Sequence, residues 1–489
     1  MSTALVLPLA LLLAPPGPGP APEPRPPNVV FVLADDLGWG ELGCYGQERI
    51  RTPRIDEIAA EGMRFTRHYA GSPVCAPSRA VWMTGLHTGH AFVRDNSENG
   101  GWGKDAPEGQ LPLPPGTDSL PRRMQAAGYR TACVGKWGLG GPGTSGHPNR
   151  QGFDLFFGHL CQRKAHNHYP AHLWRNEEKV ELDGNPWFAS HQRLDAPPAD
   201  GDYGAYAGDR YAPAEMLAAA ERFVRAHADE PFLLWYTSPI PHAALQVPDG
   251  LVEEYPAAWD ESPYLGRKGY LPHPRPRAAY AAMVTHLDRE VGRLLDLLAE
   301  LGLEDDTIVF FSSDNGPTFN GGTDSTFFDS AAGLRGLKGS VHEGGIKVPL
   351  VARWPGRIAA GSTSDLVSAF EDVFPTVAEL CGLDAPEGVD GVSFAPTLLG
   401  RPDEQAAPEV RYWEYARQQA VRRGDWKLVR TWDREGTVRT MLFDLASDPN
   451  ERTDLAAERP ERVAALLADA RAARTPSAEF PRPVLDEAE

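Results

Sequence analysis

Four short apolar runs, each followed by polar residues, constrain this chain more than any other feature. Asn28-Val29-Val30-Phe31-Val32-Leu33-Ala34 is apolar and β-branched, as expected of a strand buried on both faces of a parallel sheet, and it ends on Asp35-Asp36. Tyr129–Val134 ends on Gly135-Lys136, Phe232–Thr237 runs on to Pro239-Ile240-Pro241-His242, and Thr307–Ser313 ends on Asp314-Asn315. Helical patterns fall between them: Ile55–Glu61 stopped by Gly62, Asp118–Ala127 with Asp118 as its cap, Pro213–Ala228, and Arg277–Leu301. In the last of these Tyr280, Met283, Val284, Leu287, Val291, Leu294, Leu295 and Leu298 form one stripe, which reads as core. Strand and helix in alternation predict an α/β fold, a mostly parallel central sheet flanked by helices. Ligands of such sheets bind outside the carboxyl ends of the strands, so Asp35, Asp36, Lys136, His242, Asp314 and Asn315 are expected to converge.

One further stretch bears on that convergence. Pro73-Val74-Cys75-Ala76-Pro77-Ser78-Arg79 sets a thiol beside a proline suited to a first helical turn, with a guanidinium one turn along the same face. A helix start favours an anion at Cys75. Taken alone, such a cysteine is more often a small buried apolar residue than a reagent.

The 489 residues, 42% hydrophobic, suffice for a large α/β domain and a smaller one. A net charge of -19 without any run of Lys or Arg argues against nucleic acid as a partner. Five cysteines, Cys44, Cys75, Cys133, Cys161 and Cys381, are too sparse for a disulfide scaffold and leave at most a single bridge open. Ala4 to Ala14 is an apolar run of signal-peptide length, followed by a proline-rich spacer, and predicts export to the periplasm or exterior, although no Lys or Arg precedes it. No later window is long and apolar enough to span a bilayer, so stable membrane insertion is not expected.

Residues 1–27 are thus read as signal peptide and spacer, 28–400 as a catalytic domain, and 401–489 as a smaller subdomain. Gly138 to Arg210, rich in Gly, Pro, Asn and His, is expected to form loops over one face of the sheet. Phe370 to Cys381 reads as a last core helix. Arg411–Tyr415, Gln419–Val421, Trp426–Arg430 and Met441–Asp444 read as an antiparallel sheet, followed by a helix near Arg459–Ala473 and a loose tail from Pro476.

Asp35, Asp36, Asp314 and Asn315 offer an all-oxygen set of the kind that Ca²⁺ or Mg²⁺ selects. Cys75-Ala76-Pro77-Ser78-Arg79, lying beyond an acidic strand end in a βα unit, resembles the modification signature of the formylglycine-dependent sulfatases, arylsulfatase-like enzymes of the alkaline-phosphatase-like fold. The resemblance runs from about Asn28 into the C-terminal subdomain. It implies that a maturation enzyme oxidises Cys75 to formylglycine (3-oxoalanine). It further implies metal ligation, by Ca²⁺ ahead of Mg²⁺, through Asp35, Asp36, residue 75, Asp314 and Asn315. Arg79, Lys136, His242 and Lys338 would surround the sulfate, with His242 as general acid and Asp314 polarising the attacking hydroxyl. The substrate implied is a sulfated carbohydrate or an aryl sulfate.

The match breaks at one residue. Where the family has Gly-Lys-Trp-His-Leu-Gly, this chain has Gly135-Lys136-Trp137-Gly138-Leu139-Gly140, so the histidine that would contact the formylglycine hydroxyl is missing. Either another group substitutes, such as His147, His159, His166 or His168, or the pocket is arranged differently. Arg163, His166, His168 and Trp174 mix cations, imidazoles and an aromatic ring in a manner suited to a sulfated sugar. A zinc site at His166, His168 and His172 is disfavoured, because no cysteine or carboxylate stands at metal spacing. Two rival functions remain: a phosphodiesterase or phosphonate monoester hydrolase on the same fold, and a non-catalytic protein that binds sulfated glycans.

Overall fold

Alternation along the first strand accounts for the architecture. In the computed structural model, which describes residues 25–248, 250–384, 386–406 and 408–486, Asn28–Ala34 (β1) is buried throughout. The signal-peptide run lies outside the described residues. Val30, Val32 and Ala34 join one apolar core, while Val29, Phe31 and Leu33 join another on the opposite face. Each buried side chain of this size contributes about 1.5–3 kcal/mol, so both faces must be covered by helices.

The first core takes helices Pro53–Ala60 (α1), Ala212–Ala226 (α4) and Pro276–Glu300 (α5); the second takes Cys75–Thr84 (α2), Leu120–Ala126 (α3) and Val373–Leu380. Trp82 of α2 meets Phe31 edge to face at 5.3 Å and stacks on Trp235 at 4.2 Å, which clamps that helix over the middle of the sheet. Distant carboxylates cap two of the helices: Asp288 of α5 accepts the Arg54 and Ile55 N–H groups of α1, and Asp260 accepts those of Arg277 and Ala278. The expected Asp118 cap does not form. Ser119 precedes α3, and the Asp118 carboxylate pairs instead with Arg123, which solvent-exposed guanidinium and carboxylate reach without cost to the backbone.

The remaining strands are Met63–Phe65 (β2), His68–Tyr69 (β3), Arg130–Lys136 (β4), Leu155–His159 (β5), His172–Arg175 (β6), Glu178–Glu181 (β7), Phe232–Thr237 (β8), Thr307–Ser313 (β9), Leu350–Arg353 (β10), Ser362–Ser364 (β11) and Ser368–Ala369 (β12). Nine of them join β1 in one ten-stranded sheet, in the order β11-β2-β10-β9-β1-β8-β4-β5-β6-β7. Its centre, β9-β1-β8-β4-β5, is parallel, and both flanks include antiparallel pairings. The stretch from Gly138 to Arg210 is therefore more than loops: β5, β6 and β7 complete one flank of the sheet. Leu155-Phe156-Phe157 alone is apolar in β5, too short a run to stand out among glycines and prolines.

Arg411–Tyr415 (β13), Gln418–Arg423 (β14), Trp426–Trp432 (β15) and Val438–Asp444 (β16) form a separate antiparallel sheet. Helix Pro460–Ala472 covers it through Leu466 and Ala470. The tail is tied down rather than loose: Arg474 pairs with Asp486, and Phe480 is buried. Among the described residues no helix is long and apolar enough to cross a membrane, and all five cysteines are free.

Glu290 of α5 lies in the first core with Oε1 lacking a hydrogen-bond partner among the described residues and Ser238 Oγ 3.3 Å from Oε2. Burial pushes its carboxyl up to about 8, against the neighbouring Tyr236 and Ser238 hydroxyls, and His286 3.6 Å away is itself held down to about 4 by burial. The folded state thus keeps a proton that the unfolded chain releases, so stability falls as pH rises from the ordinary glutamate range through about 8. Glu290→Gln is expected to remove that slope and to gain on the order of 3 kcal/mol at pH 8.5 relative to pH 5, read by urea unfolding at both pH values. Equal pH slopes in parent and variant would count against the assignment.

Candidate active site

The strand register brings the polar ends together. Ala34 pairs with Ser313, Leu33 with Thr237, and Thr237 with Gly135, so the residues just beyond β9 and β1 and the last residue of β4 meet around the end of β8. Asp36 turns the chain through a left-handed backbone conformation, φ 69°, which aspartate tolerates better than most residues. Its N–H donates to Asp314 Oδ1 (3.1 Å), and the next N–H, of Leu37, donates to Ser313 Oγ (2.9 Å).

Cys75 is the first residue of α2 and Arg79 stands one turn later, both fully enclosed. The thiol lies 3.3 Å from Asp35 Oδ1, 3.9 Å from Asp36 Oδ1 and 3.6 Å from Lys136 Nζ. Arg79 donates through Nε (3.1 Å) and Nη2 (2.9 Å) to Asp314 Oδ2, and through Nη1 to the Lys136 carbonyl. Lys136 Nζ donates to Asp35 Oδ2, Lys338 Nζ to Asp36 Oδ2 (2.8 Å), and His242 Nε2 sits 3.6 Å from the same oxygen. Lys338 depends on the C-terminal sheet. Its neighbour Gly339 donates N–H to Pro73 O (2.9 Å) and accepts from Gln418 Nε2 of β14 (2.8 Å).

Ligand atoms of Asp35, Asp36, Cys75 and Asp314 all lie within 4.8 Å of one another. Asn315 gives its Nδ2 to Asp36 Oδ1 (2.8 Å) and Gly316 O (2.9 Å), leaving its buried Oδ1 without a partner among the described residues. An orphaned amide oxygen next to a carboxylate cluster fits a hard divalent cation. The charges are unequally shared. Burial works against ionised Asp35, yet Lys136 and then Arg79 hold its carboxyl far below the usual range, whereas burial and then Asp35 push Asp314 up. Burial, with Asp314 and Asp35, also drives the Cys75 thiol well above its ordinary value, so as a thiol it is a poor nucleophile. Burial and Lys338 bring His242 down to about 3 and keep it neutral.

The substrate candidates separate. His166 stacks on His242 with ring centres 4.8 Å apart and meets His191 at 3.1 Å, and Arg163 lies 5.0 Å over the Trp102 ring while pairing with Glu98 at 3.2 Å. Trp102 and His191 escaped the sequence reading because nothing local links them to His166. His168 turns inward, its Nε2 bonded to the His242 carbonyl (2.9 Å), and Trp174 donates to Glu108 (2.9 Å). His172 is taken by Glu108 as well (2.7 Å), and His166, His168 and His172 form no metal cluster among the described residues. His147 is engaged with Asn149 N–H and the Asn176 carbonyl, and His159 lies buried at the end of β5 opposite Lys136. None of these histidines fills the place at Gly138; the atoms nearest a side chain there belong to Gln162.

A mostly parallel α/β sheet with a carboxylate cluster at its strand ends, and with Arg79, Lys136, His242 and Lys338 around that cluster, is the arrangement of a hydrolase of the alkaline-phosphatase-like fold. Comparison with known proteins narrows the class. The sulfatase family model matches residues 27–383, and the model for the C-terminal region of N-sulphoglucosamine sulphohydrolase matches 337–470. Human arylsulfatase A is 32% identical, covering 90% of this chain and 86% of its own, and dog N-acetylgalactosamine-6-sulfatase is 28% identical, covering 88% and 82%. The crystal structure of Ps i-CgsB shares the fold at a TM-score of 0.71 with 24% identity, covering 91% and 92%. So does the phosphonate monoester hydrolase of Agrobacterium radiobacter, at 0.61 with 22% identity, covering 91% and 96%. The chain belongs to the sulfatase family and is a sulfuric ester hydrolase.

Proposed function

We propose that this enzyme hydrolyses a sulfate ester on a sulfated carbohydrate, using a formylglycine made from Cys75 and a bound divalent cation, Ca²⁺ ahead of Mg²⁺. The observation that carries the reading is the convergence on one residue of three carboxylates, a guanidinium and an ammonium, around a thiol whose own reactivity the site suppresses. The carbohydrate class is supported by the relatives named N-acetylgalactosamine-6-sulfatase and by the fold shared with BT4656, solved with D-glucosamine-2-N,6-O-disulfate. Export, modification by a maturation enzyme, and division into a catalytic domain over 28–400 and a subdomain over 401–489 belong to the same reading.

Held by Asp35, Asp36, Asp314, Asn315 and residue 75, the cation would supply Lewis acidity for the attacking hydroxyl and offset charge on oxygen. The aldehyde hydrate would supply two hydroxyls on one carbon, one to attack sulfur as the alcohol leaves and one to expel sulfate and restore the aldehyde. Arg79, Lys136 and Lys338 then bind and orient the sulfuryl oxygens, and Asp314 polarises the attacking hydroxyl. His242 gives a proton to the leaving oxygen. Since Lys338 opposes its protonation, it gains that proton only when the sulfate's negative charge lies beside them. Arg163, His166 and Trp102 are the sugar contacts of this reading; His168 and Trp174 would act from behind it.

Peptide mass spectrometry across residue 75 tests the proposal, with a mass about 18 Da below the cysteine peptide as the expected result. A wholly thiol-bearing peptide from active enzyme overturns it. Rates on paired aryl esters supply the second arm, and faster turnover of phosphate or phosphonate than of sulfate transfers the site to the phosphorus-ester reading.

A further inference from the structure

Glycine at 138 opens a space, and one side chain fills it. Gly138 lies two residues beyond Lys136, whose Nζ is 3.6 Å from Cys75 Sγ. A Cβ on Gly138 would stand 2.5 Å from Gln162 Nε2, 2.8 Å from Cγ and 2.9 Å from Cδ. The Gln162 carboxamide therefore occupies the path that any side chain at 138 would take. It is a poor filler. Gln162 is 2% exposed, and its Nε2 is buried without a partner among the described residues, an arrangement an apolar chain of the same shape would avoid.

The segment carrying Gln162 is fixed to the site from two sides. Its N–H donates to Gln110 Oε1 (3.2 Å), and the adjoining Arg163 pairs with Glu98 (3.2 Å). Two residues before Glu98, Asn96 Oδ1 accepts the N–H of Ala76, the residue after Cys75 (2.9 Å). Gln162 is thereby set between the strand end that carries Lys136 and the loop that holds the start of α2, with two N–H bonds unused.

We propose that Gln162 is a sulfate-binding residue, donating Nε2–H to a sulfuryl oxygen held between Lys136 and residue 75. The proposal rests on the sulfate-ester reading above. A carboxamide donates without taking up a proton, so this wall of the site offers the same contact at every working pH and no base.

Two full-chain variants test it: Gln162→Met, of equal length with no donor, and Gln162→Glu, of equal shape with a negative charge. In a Cys75→Ala background with Ca²⁺ present, titration calorimetry with inorganic sulfate reads the anion site without turnover. Binding is expected to weaken about tenfold with Met and further with Glu. In formylglycine-bearing enzyme, kcat/KM on an aryl sulfate is expected to fall about 10- to 100-fold with Met, the pH profile keeping its shape and the melting temperature unchanged or higher. Sulfate binding and turnover by Gln162→Met within about twofold of the parent would overturn the assignment. Should active parent enzyme still carry the Cys75 thiol, weaker sulfate binding by Gln162→Met supports the Gln162 contact while the formylglycine reading fails.

Discussion

Cys75→Ser is expected to leave a folded protein whose steady-state turnover of a sulfate ester falls on the order of 10⁴-fold. The side chain is buried at the first position of α2, and serine is of similar size, so Arg79, Asp35 and Lys136 have no reason to move. A single hydroxyl can still attack sulfur between these groups. It cannot expel the sulfate afterwards, because no second hydroxyl stands on the same carbon. One equivalent of alcohol should be released, after which the reaction stops and the peptide across residue 75 is heavier. Continued multiple turnover by this variant would show that another nucleophile does the work.

Asp314→Asn is expected to lose both turnover and the response to metal, and to do so without weakening the metal-free protein. Asp314 Oδ2 receives both Arg79 bonds, and Oδ1 receives the Asp36 N–H. Yet burial and the Asp35 charge disfavour the ionised carboxyl, so a neutral amide relieves repulsion among the carboxylates even as it weakens the hold on Arg79. Asp35 Oδ2, 3.8 Å from Arg79, remains to balance that guanidinium. Saturating Ca²⁺ at about 100 times its dissociation constant should stabilise the parent by about 2.7 kcal/mol and the variant by little. Differential scanning calorimetry with and without Ca²⁺ measures this. An unchanged calcium shift in the variant would remove Asp314 from the metal set, and a large loss of stability in the metal-free variant would show that the Arg79 pair outweighs the repulsion.

Sequence patterns located the parts of this site unevenly. Asp35, Asp36, Lys136, Asp314 and Asn315 were legible because each stands at or just beyond the end of an apolar strand, and parallel register carries strand ends to one edge regardless of the loops between them. Cys75 and Arg79 were legible as a pair because helical spacing places residues four apart on one face. Lys338 came only through the family resemblance. Its loop has no strand to order it and is held by Gln418, in a sheet formed much later in the chain.

Trp102 and His191 left no comparable trace. Each owes its place to contacts with Arg163 or His166 in the loop beyond β5, and β5 itself was hidden in a stretch whose glycines and prolines read as turns. The tail owes its order to a contact of the same kind: Arg474 reaches Asp486 only once the chain has folded back.

Cys75, read at first as a possible thiol at a helix start, shows where the division falls. Local patterning determined that a sheet of this kind forms, which strand ends face its edge, and that residue 75 opens a helix with Arg79 behind it. Only the tertiary structure decided that burial, with Asp314 and Asp35 beside it, raises the thiol well above its ordinary range, that the Asn315 Oδ1 has no partner among the described residues, and that a glutamine fills the space left by Gly138. Burial, charge and close approach depend on neighbours distant in sequence, and no local pattern encodes them.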